Sequence, residues 1–267
     1  MKPEENKFAD VPLRVKTWIY IIIVFALGIS HPLAMALFVS WIGLQPFFEF
    51  SKMFKIPANP VISSIFIGIA QFYLLFYFNI EHYLLYSSIL GIFVLLYFLV
   101  VKSSTKQLYG LSIALVVCLF SFPHLLWIRN SPNGISAIIF IVVVTELNDV
   151  FQYLMGKFFG KRKITPQISP NKTLEGLIGG IFLTILLSNI LGFFLLKTNI
   201  LTNSISGLFL GISGFCGDIF MSYLKRKTGV KDTGNLLPGH GGLLDRMDSL
   251  IFNAPLFFWI LPFLIKN

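Results

Sequence analysis

Charge is scarce in this chain: of 267 residues only 12% are Asp, Glu, Lys or Arg, and the acids among them number 12. Cysteine is nearly missing. Cys118 and Cys216 lie far apart inside apolar runs, which excludes a disulfide framework and makes them small buried hydrophobes. Long polar stretches are absent too, so no segment is left over for a separate soluble domain beyond the loops. No repeat of fixed period occurs, and neither do inverted halves of the kind that mark many transporters. What the chain has instead is apolar sequence: 55% hydrophobic, 16% aromatic, mean hydropathy +0.79.

Apolar runs of about 17–25 residues recur from end to end, each long enough to cross about 30 Å of hydrocarbon at about 1.5 Å per residue. The fold class is therefore an all-α polytopic membrane bundle. Candidate spans lie near 18–30, 32–50, 61–79, 83–101, 108–128, 134–155, 173–196, 204–224 and 249–265, about nine in all. The amino terminus has the basic start and apolar run of a signal peptide. It lacks a small-residue cleavage site, however, and the apolar sequence continues past His31–Pro32, so a retained span is expected. Residues 17–48 carry no Asp, Glu, Lys or Arg, and Pro32 divides them into two short or tilted helices.

Nine spans sort the cations unevenly: 18 of 21 fall on one side, and only Arg129, Lys197 and Lys266 fall on the other. The positive-inside rule then puts the amino terminus in the cytoplasm and the carboxyl terminus outside. The net charge of +9 is mostly this topology signal together with attraction to the cytoplasmic leaflet. The basic residues are spread over several loops, so no nucleic-acid partner is expected.

Residues 1–145 read as an amino-terminal transmembrane scaffold, and residues 146–267 as the catalytic region of one integrated membrane domain. Glu146, Asp149, Glu175 and Asp218 lie within or at the edge of spans, where ionisable groups are expensive and mark function by default. The topology turns all four toward the cytoplasmic face. Asp218, Ser222 and Lys225 share one helical stripe at i, i+4 and i+7, and Asp245 and Asp248 are spaced i, i+3. Local salt bridges, Asp218 with Lys225 and Asp245 with Arg246, are the structural alternative for these acids.

The run Ser222–Asp248 concentrates five cations, three aspartates and five glycines around His240. Cations hold phosphate oxygens, carboxylates hold a hard metal ion, and glycines let backbone N–H groups approach an anion. His240 has no nearby His or Cys partner for zinc, and neither a Walker loop nor a GxSxG elbow is present. Phosphate handling by cations, metal and flexible backbone is what remains.

The spacing Ser222-x2-Lys225-Arg226-x4-Lys231-Asp232-x-Gly234-x2-Leu237-Pro238-x-His240-Gly241-Gly242-x2-Asp245-Arg246-x-Asp248 resembles the signature of the phosphatidate cytidylyltransferases (CDP-diacylglycerol synthases), with every position filled. A second block, Pro166-x2-Ser169-Pro170-x-Lys172-Thr173-x-Glu175-Gly176-x2-Gly179-Gly180, is similar to that family's other marker. Upstream of it, Asp149, Tyr153 and Gly156 match a D-T-x-A-Y-x2-G pattern, while Val150 and Gln152 depart from it. Met221 and Asn171 also differ from common family residues, which points to a divergent subgroup.

The resemblance implies transfer of a cytidylyl group from CTP to phosphatidate at a membrane, giving CDP-diacylglycerol and pyrophosphate with Mg²⁺. A second Mg²⁺ or a monovalent ion would be a further cofactor. It implies catalytic roles for Asp218, Lys225, Asp245 and Arg246, with Asp218 and Asp245 as metal ligands. It implies substrate binding by Ser222, Arg226, Lys231, Asp232, His240, Gly241, Gly242, Asp248, Lys172, Thr173, Glu175 and Asp149. The expected location is the plasma (inner) membrane, with the site facing the cytoplasm and a homodimer allowed. The competing readings are a CTP-dependent transferase or kinase acting on another lipid such as a polyprenol, and a membrane transporter. A transporter calls for ionisable groups near the midplane in both halves of a repeat, and here they favour one face.

Overall fold

Every long apolar run of the sequence forms a helix. The computed structural model describes residues 11–239 and 241–265; Lys2, Lys7, His240 and Lys266 lie outside the described residues. The helices in chain order are α1 (Val11–Ser30), α2 (Pro32–Phe54), α3 (Pro60–Tyr77), α4 (Ile80–Val100), α5 (Thr105–Val116), α6 (His124–Asn130), α7 (Gly134–Phe159), α8 (Leu174–Leu191), α9 (Ile200–Thr228), α10 (Leu244–Met247) and α11 (Leu250–Ile265). A π-helical turn, Val117–Ser121, leads from α5 towards α6, and the three segments run as one apolar rod, Thr105–Asn130.

Among the described residues, seven helices are long and apolar enough to cross a bilayer, and Lys16–Ser30 and Leu250–Phe263 are shorter apolar helices. These helices overlap the apolar runs read from the sequence. The break at Pro32 is where the sequence placed it: α1 stops at Ser30, and the His31 ring accepts a hydrogen bond from the Leu33 N–H to start α2.

The loops carry their own stop and start signals. Asn59 accepts from the N–H groups of Val61 and Ile62, Ser104 and Gln107 form a reciprocal capping box, and Asn199 accepts from the Thr202 N–H. These side chains satisfy backbone donors that a helix leaves unpaired at its start. Large apolar side chains such as Phe66, Ile69, Phe93 and Tyr97 are exposed, as on a surface solvated by lipid.

Helices α7, α8 and α9 pack through small residues. A methyl on Gly176 would sit 2.8 Å from the Gln152 carbonyl oxygen, and one on Gly207 would sit 2.8 Å from the Ile185 Cα. Without a hydrophobic drive between helices in lipid, such close backbone approach and polar contacts hold a bundle together. The polar contacts are here as well: Thr184 Oγ1 donates to Asn148 Oδ1 (2.9 Å), Gln152 Nε2 to the same oxygen (3.1 Å), and Asn253 Nδ2 to Thr145 Oγ1 (2.9 Å).

One feature falls outside an all-α reading. Lys163–Thr165 (β1) and Ser169–Thr173 (β2) form an antiparallel hairpin between α7 and α8. Pro166 and Pro170 discouraged a helix there, and seven polar residues between Lys163 and Thr173 left no apolar face to reveal a strand by periodicity.

Candidate active site

The long helix α9 carries the first part of the site. It continues to Thr228 and is closed by Gly229, whose φ of +80° lets its N–H cap the carbonyls of Arg226 and Lys225. Asp218, Ser222 and Lys225 share one stripe as their spacing required, and Ser222 Oγ donates to Asp218 Oδ1 at 3.3 Å. The local salt bridges do not form. Among the described residues the two ion pairs are Lys172 Nζ–Asp218 Oδ2 at 2.5 Å and Lys225 Nζ–Asp245 Oδ1 at 2.8 Å. Each aspartate therefore takes a lysine from a different element.

Beyond α9 the chain folds back as a tight loop. The Leu237 N–H donates to the Gly241 carbonyl at 2.9 Å, and Gly239 and Gly241 have φ of +76° and +88°, which favours glycine. Asp245 closes the loop from the other end. Its Oδ2 accepts from the Thr233 N–H (2.8 Å), Thr233 Oγ1 (3.0 Å) and the Gly242 N–H (2.9 Å), while Oδ1, among the described residues, has Lys225 as its partner.

A residue passed over in the sequence completes this closure. Glu49 of α2 is 1% exposed, and its carboxylate accepts from the Leu243 N–H (2.8 Å), the Leu244 N–H (3.0 Å), Thr233 Oγ1 (2.8 Å) and Gln45 Nε2 (3.0 Å). A methyl on Gly242 would lie 2.6 Å from Glu49 Oε2 and collide with Thr233 Oγ1, so the glycine there is a matter of space. The available signal was a lone acid in an otherwise uncharged helix stretch, where an ionisable group calls for a partner.

The hairpin supplies the opposite wall. Its second strand holds Lys172 against Asp218, and Asp149 and Asp248 lie close enough to act on the same ammonium. Burial draws the Lys172 ammonium down, but Asp218 and Asp149 outweigh it and hold Lys172 above its ordinary value. Burial pushes the Asp248 carboxyl well above the carboxylate range, and the neighbouring charges of Asp218 and Asp149 push it further. Asp149 Oδ2 accepts from Ser249 Oγ at 2.8 Å, while its buried Oδ1 has no hydrogen-bond partner. Three carboxylates from α7, α9 and the α10–α11 junction thus surround one lysine.

Other residues singled out in the sequence lie at the rim or serve the frame. Glu175 Oε2 accepts from the N–H groups of Lys161 (2.8 Å) and Arg162 (3.0 Å), tying α8 to the hairpin. Thr173 caps α8 by accepting from the Gly176 N–H at 3.1 Å. Arg226 donates to the Ile168 carbonyl (3.3 Å) and the Val230 carbonyl (3.4 Å). Lys231, Asp232 and Arg246 are exposed around the loop, and the Arg246 guanidinium makes no hydrogen bond or salt bridge among the described residues.

The donor set suits a hard cation. Lysine ammonium groups already sit on Asp218 Oδ2 and Asp245 Oδ1, and the unpartnered Asp149 Oδ1 lies in the same carboxylate group. Among the described residues no three acids, histidines or cysteines are gathered tightly enough to form a cage. A Mg²⁺ ion held by one or two of these carboxylates would draw its remaining ligands from water and substrate phosphates.

Comparison with known proteins places this geometry. The uncharacterized protein YnbB of Escherichia coli K12 is 39% identical over 269 residues, covering 97% of this chain and 90% of YnbB. The phosphatidate cytidylyltransferase of Bacillus subtilis is 42% identical over 142 residues, or 52% of this chain, and that of Staphylococcus haemolyticus is 42% identical over 125 residues. These two alignments span about half the length of the named enzymes, 53% and 48%. The model of the cytidylyltransferase family matches residues 13–264. With nearly its whole length matched and its paired lysines and aspartates gathered at one end of a membrane bundle, the chain belongs to the cytidylyltransferase family.

Proposed function

We propose that this protein transfers a cytidylyl group from CTP to phosphatidate, giving CDP-diacylglycerol and pyrophosphate. The observation that carries this reading is the meeting of Lys172–Asp218 and Lys225–Asp245 beside a glycine loop, at the end of a bundle that keeps a lipid substrate within reach. The names of the relatives matched over about half their length agree with it.

A phosphate oxygen of phosphatidate attacks the α-phosphorus of CTP. The new P–O bond forms as the α–β bridge breaks, and pyrophosphate leaves with the electron pair. The lipid phosphate is already anionic near neutral pH, so the barrier lies in bringing two anions together and in stabilising the leaving group. Positioning and charge neutralisation dominate such transfers.

Lys172 and Lys225 stand where they can move from aspartate to phosphate oxygens, and Arg246 and Lys231 offer cations not tied up in ion pairs. The backbone around Gly241 and Gly242 approaches closely because no Cβ stands in the way. Asp218 and the Oδ1 of Asp245 would hold Mg²⁺, with Asp149 beside them. When bound, the ion supplies charge neutralisation at the phosphates.

The 18-to-3 cation split supports nine crossings, with the amino terminus and the site on the cytoplasmic side of the plasma membrane. A detergent-micelle assay with labelled CTP tests the reading, offering phosphatidate, a polyprenol and a polyprenyl phosphate in parallel. CDP-diacylglycerol formed from phosphatidate is the expected result. Product from the polyprenol series alone would overturn it.

A further inference from the structure

A cavity of about 230 Å³ opens beside the catalytic loop, and its walls are almost wholly apolar. Trp18, Ile22 and Phe25 of α1 form one side, and Phe38 and Trp41 of α2 with Val142 of α7 form the others. At its loop end Leu243, Met247 and Leu250 complete the lining. Among the described residues, the charged ones that line it are Glu146 and Arg246. Arg246 lines the cavity at its loop end and is near enough to act electrostatically on both Glu146 and Asp149. Thr17 Oγ1 donates to the Pro238 carbonyl at 3.1 Å, which fixes α1 as a wall against the loop.

We propose that this cavity seats one acyl chain of the acceptor lipid, with Arg246 at its mouth reading a phosphomonoester head. The proposal rests on the cytidylyltransfer reading and adds the place where the lipid chain is gripped. The argument is charge complementarity: the described lining carries one carboxylate, Glu146, and one guanidinium, and the exposed Arg246 at the loop end is the group that an anionic head would meet. A zwitterionic lipid fits the slot equally well but presents a bulky choline where the guanidinium stands. Arg also suits a phosphomonoester better than Lys would, since its planar fork donates to two oxygens at once. The slot is built by α1 and α2, helices that contribute none of the Lys–Asp pairs, so chain selection and phosphate chemistry are set by different parts of the molecule.

The chain has four tryptophans, and two of them, Trp18 and Trp41, line the cavity. With Trp127→Phe and Trp259→Phe as background, the remaining emission reports on the slot. In phosphatidylcholine vesicles, a few mole per cent of phosphatidate brominated in mid-chain should quench this emission more than the same amount of brominated phosphatidylcholine. Arg246→Gln should remove that preference. In the unmutated background, Val142→Phe narrows the slot. Displacing about two methylenes lowers kcat/KM for a dioleoyl acceptor roughly 15-fold relative to a dihexanoyl one, with the KM for CTP unchanged. Phe25→Ala, which widens the slot, guards against a folding defect in Val142→Phe and should shift the chain-length ratio the opposite way. Ile92→Phe, on the exposed face of α4, is the control and should leave the ratio alone.

Equal quenching by the two brominated lipids overturns the proposal, as does a loss of activity in Val142→Phe that is the same for short and long chains. The failures are distinguishable. Preferential quenching without CDP-diacylglycerol formation sinks the cytidylyltransfer reading and leaves the slot standing. Product formation with equal quenching sinks the slot alone.

Discussion

Glu49 offers the sharpest test of how the loop is held. Its carboxylate receives four donors, and two of them, the N–H groups of Leu243 and Leu244, are buried backbone groups. Glu49→Ala strands both, and an unsatisfied buried donor costs about 1–3 kcal/mol, so the loop loses roughly 2–6 kcal/mol of support. Thr233 suffers less because Asp245 still accepts from it. Glu49→Gln keeps the shape but turns an NH₂ toward the N–H of either Leu243 or Leu244, whichever way the amide lies, and costs about 1–3 kcal/mol.

Both variants should insert and remain folded near 20 °C, since the loss falls on one loop and not on the bundle. Specific activity per folded protein should drop by about tenfold or more in Glu49→Gln and further in Glu49→Ala, because each 1.4 kcal/mol of misplacement is a factor of ten. The assay is labelled-CTP turnover in micelles, normalised to the monodisperse fraction on size exclusion, with a thermal melt alongside. Wild-type kcat/KM and an unchanged melt in Glu49→Gln would refute the reasoning, since it would mean the loop keeps its shape without this carboxylate.

Asp218→Asn should lower kcat by about 10²-fold or more with little change in the melt, since each lost charge removes several kcal/mol of transition-state stabilisation; an unchanged kcat counts against its role. Asp245→Asn should lose both activity and stability, because one oxygen holds Lys225 and the other closes the loop; a normal melt would contradict the closure. Asp248→Asn should raise thermal stability at neutral pH in the absence of metal. The raised Asp248 carboxyl favours the protonated folded state, so the wild type loses stability as pH climbs from about 4 through the folded value, and the variant lacks that loss. Parallel pH–stability curves for the two chains would exclude this. Turnover should require divalent metal, and robust product formation in excess EDTA would remove Mg²⁺ from the mechanism.

Much of this protein is legible in its sequence because the bilayer leaves few choices. In hydrocarbon a run of about 20 apolar residues has to satisfy its own backbone, so it becomes a helix. That rule alone locates α1 to α9 and α11, and Pro32 with the capping residues Asn59, Ser104 and Asn199 marks where several of them break. The same poverty of charge makes Asp149, Lys172, Asp218, Lys225 and Asp245 conspicuous, and the helical stripe Asp218–Ser222–Lys225 follows from a period of about 3.6.

Pairing was beyond the reach of periodicity. Spacing along one helix offered Asp218 to Lys225 and Asp245 to Arg246, whereas packing gave Asp218 to Lys172 of the hairpin and Asp245 to Lys225. Which partner wins depends on how α9, the hairpin and the loop approach one another, and that is set by glycines such as Gly176, Gly217 and Gly242, where no side chain holds the backbones apart. Glu49 is the clearest case. It is separated from Leu243 by 194 positions, and nothing local to α2 says what it binds. The sequence determined which segments are apolar enough to form membrane helices and which charged side chains stand out as costly in such surroundings. Only the tertiary structure decided which charges meet and what holds the loop, because those outcomes depend on contact distances between helices.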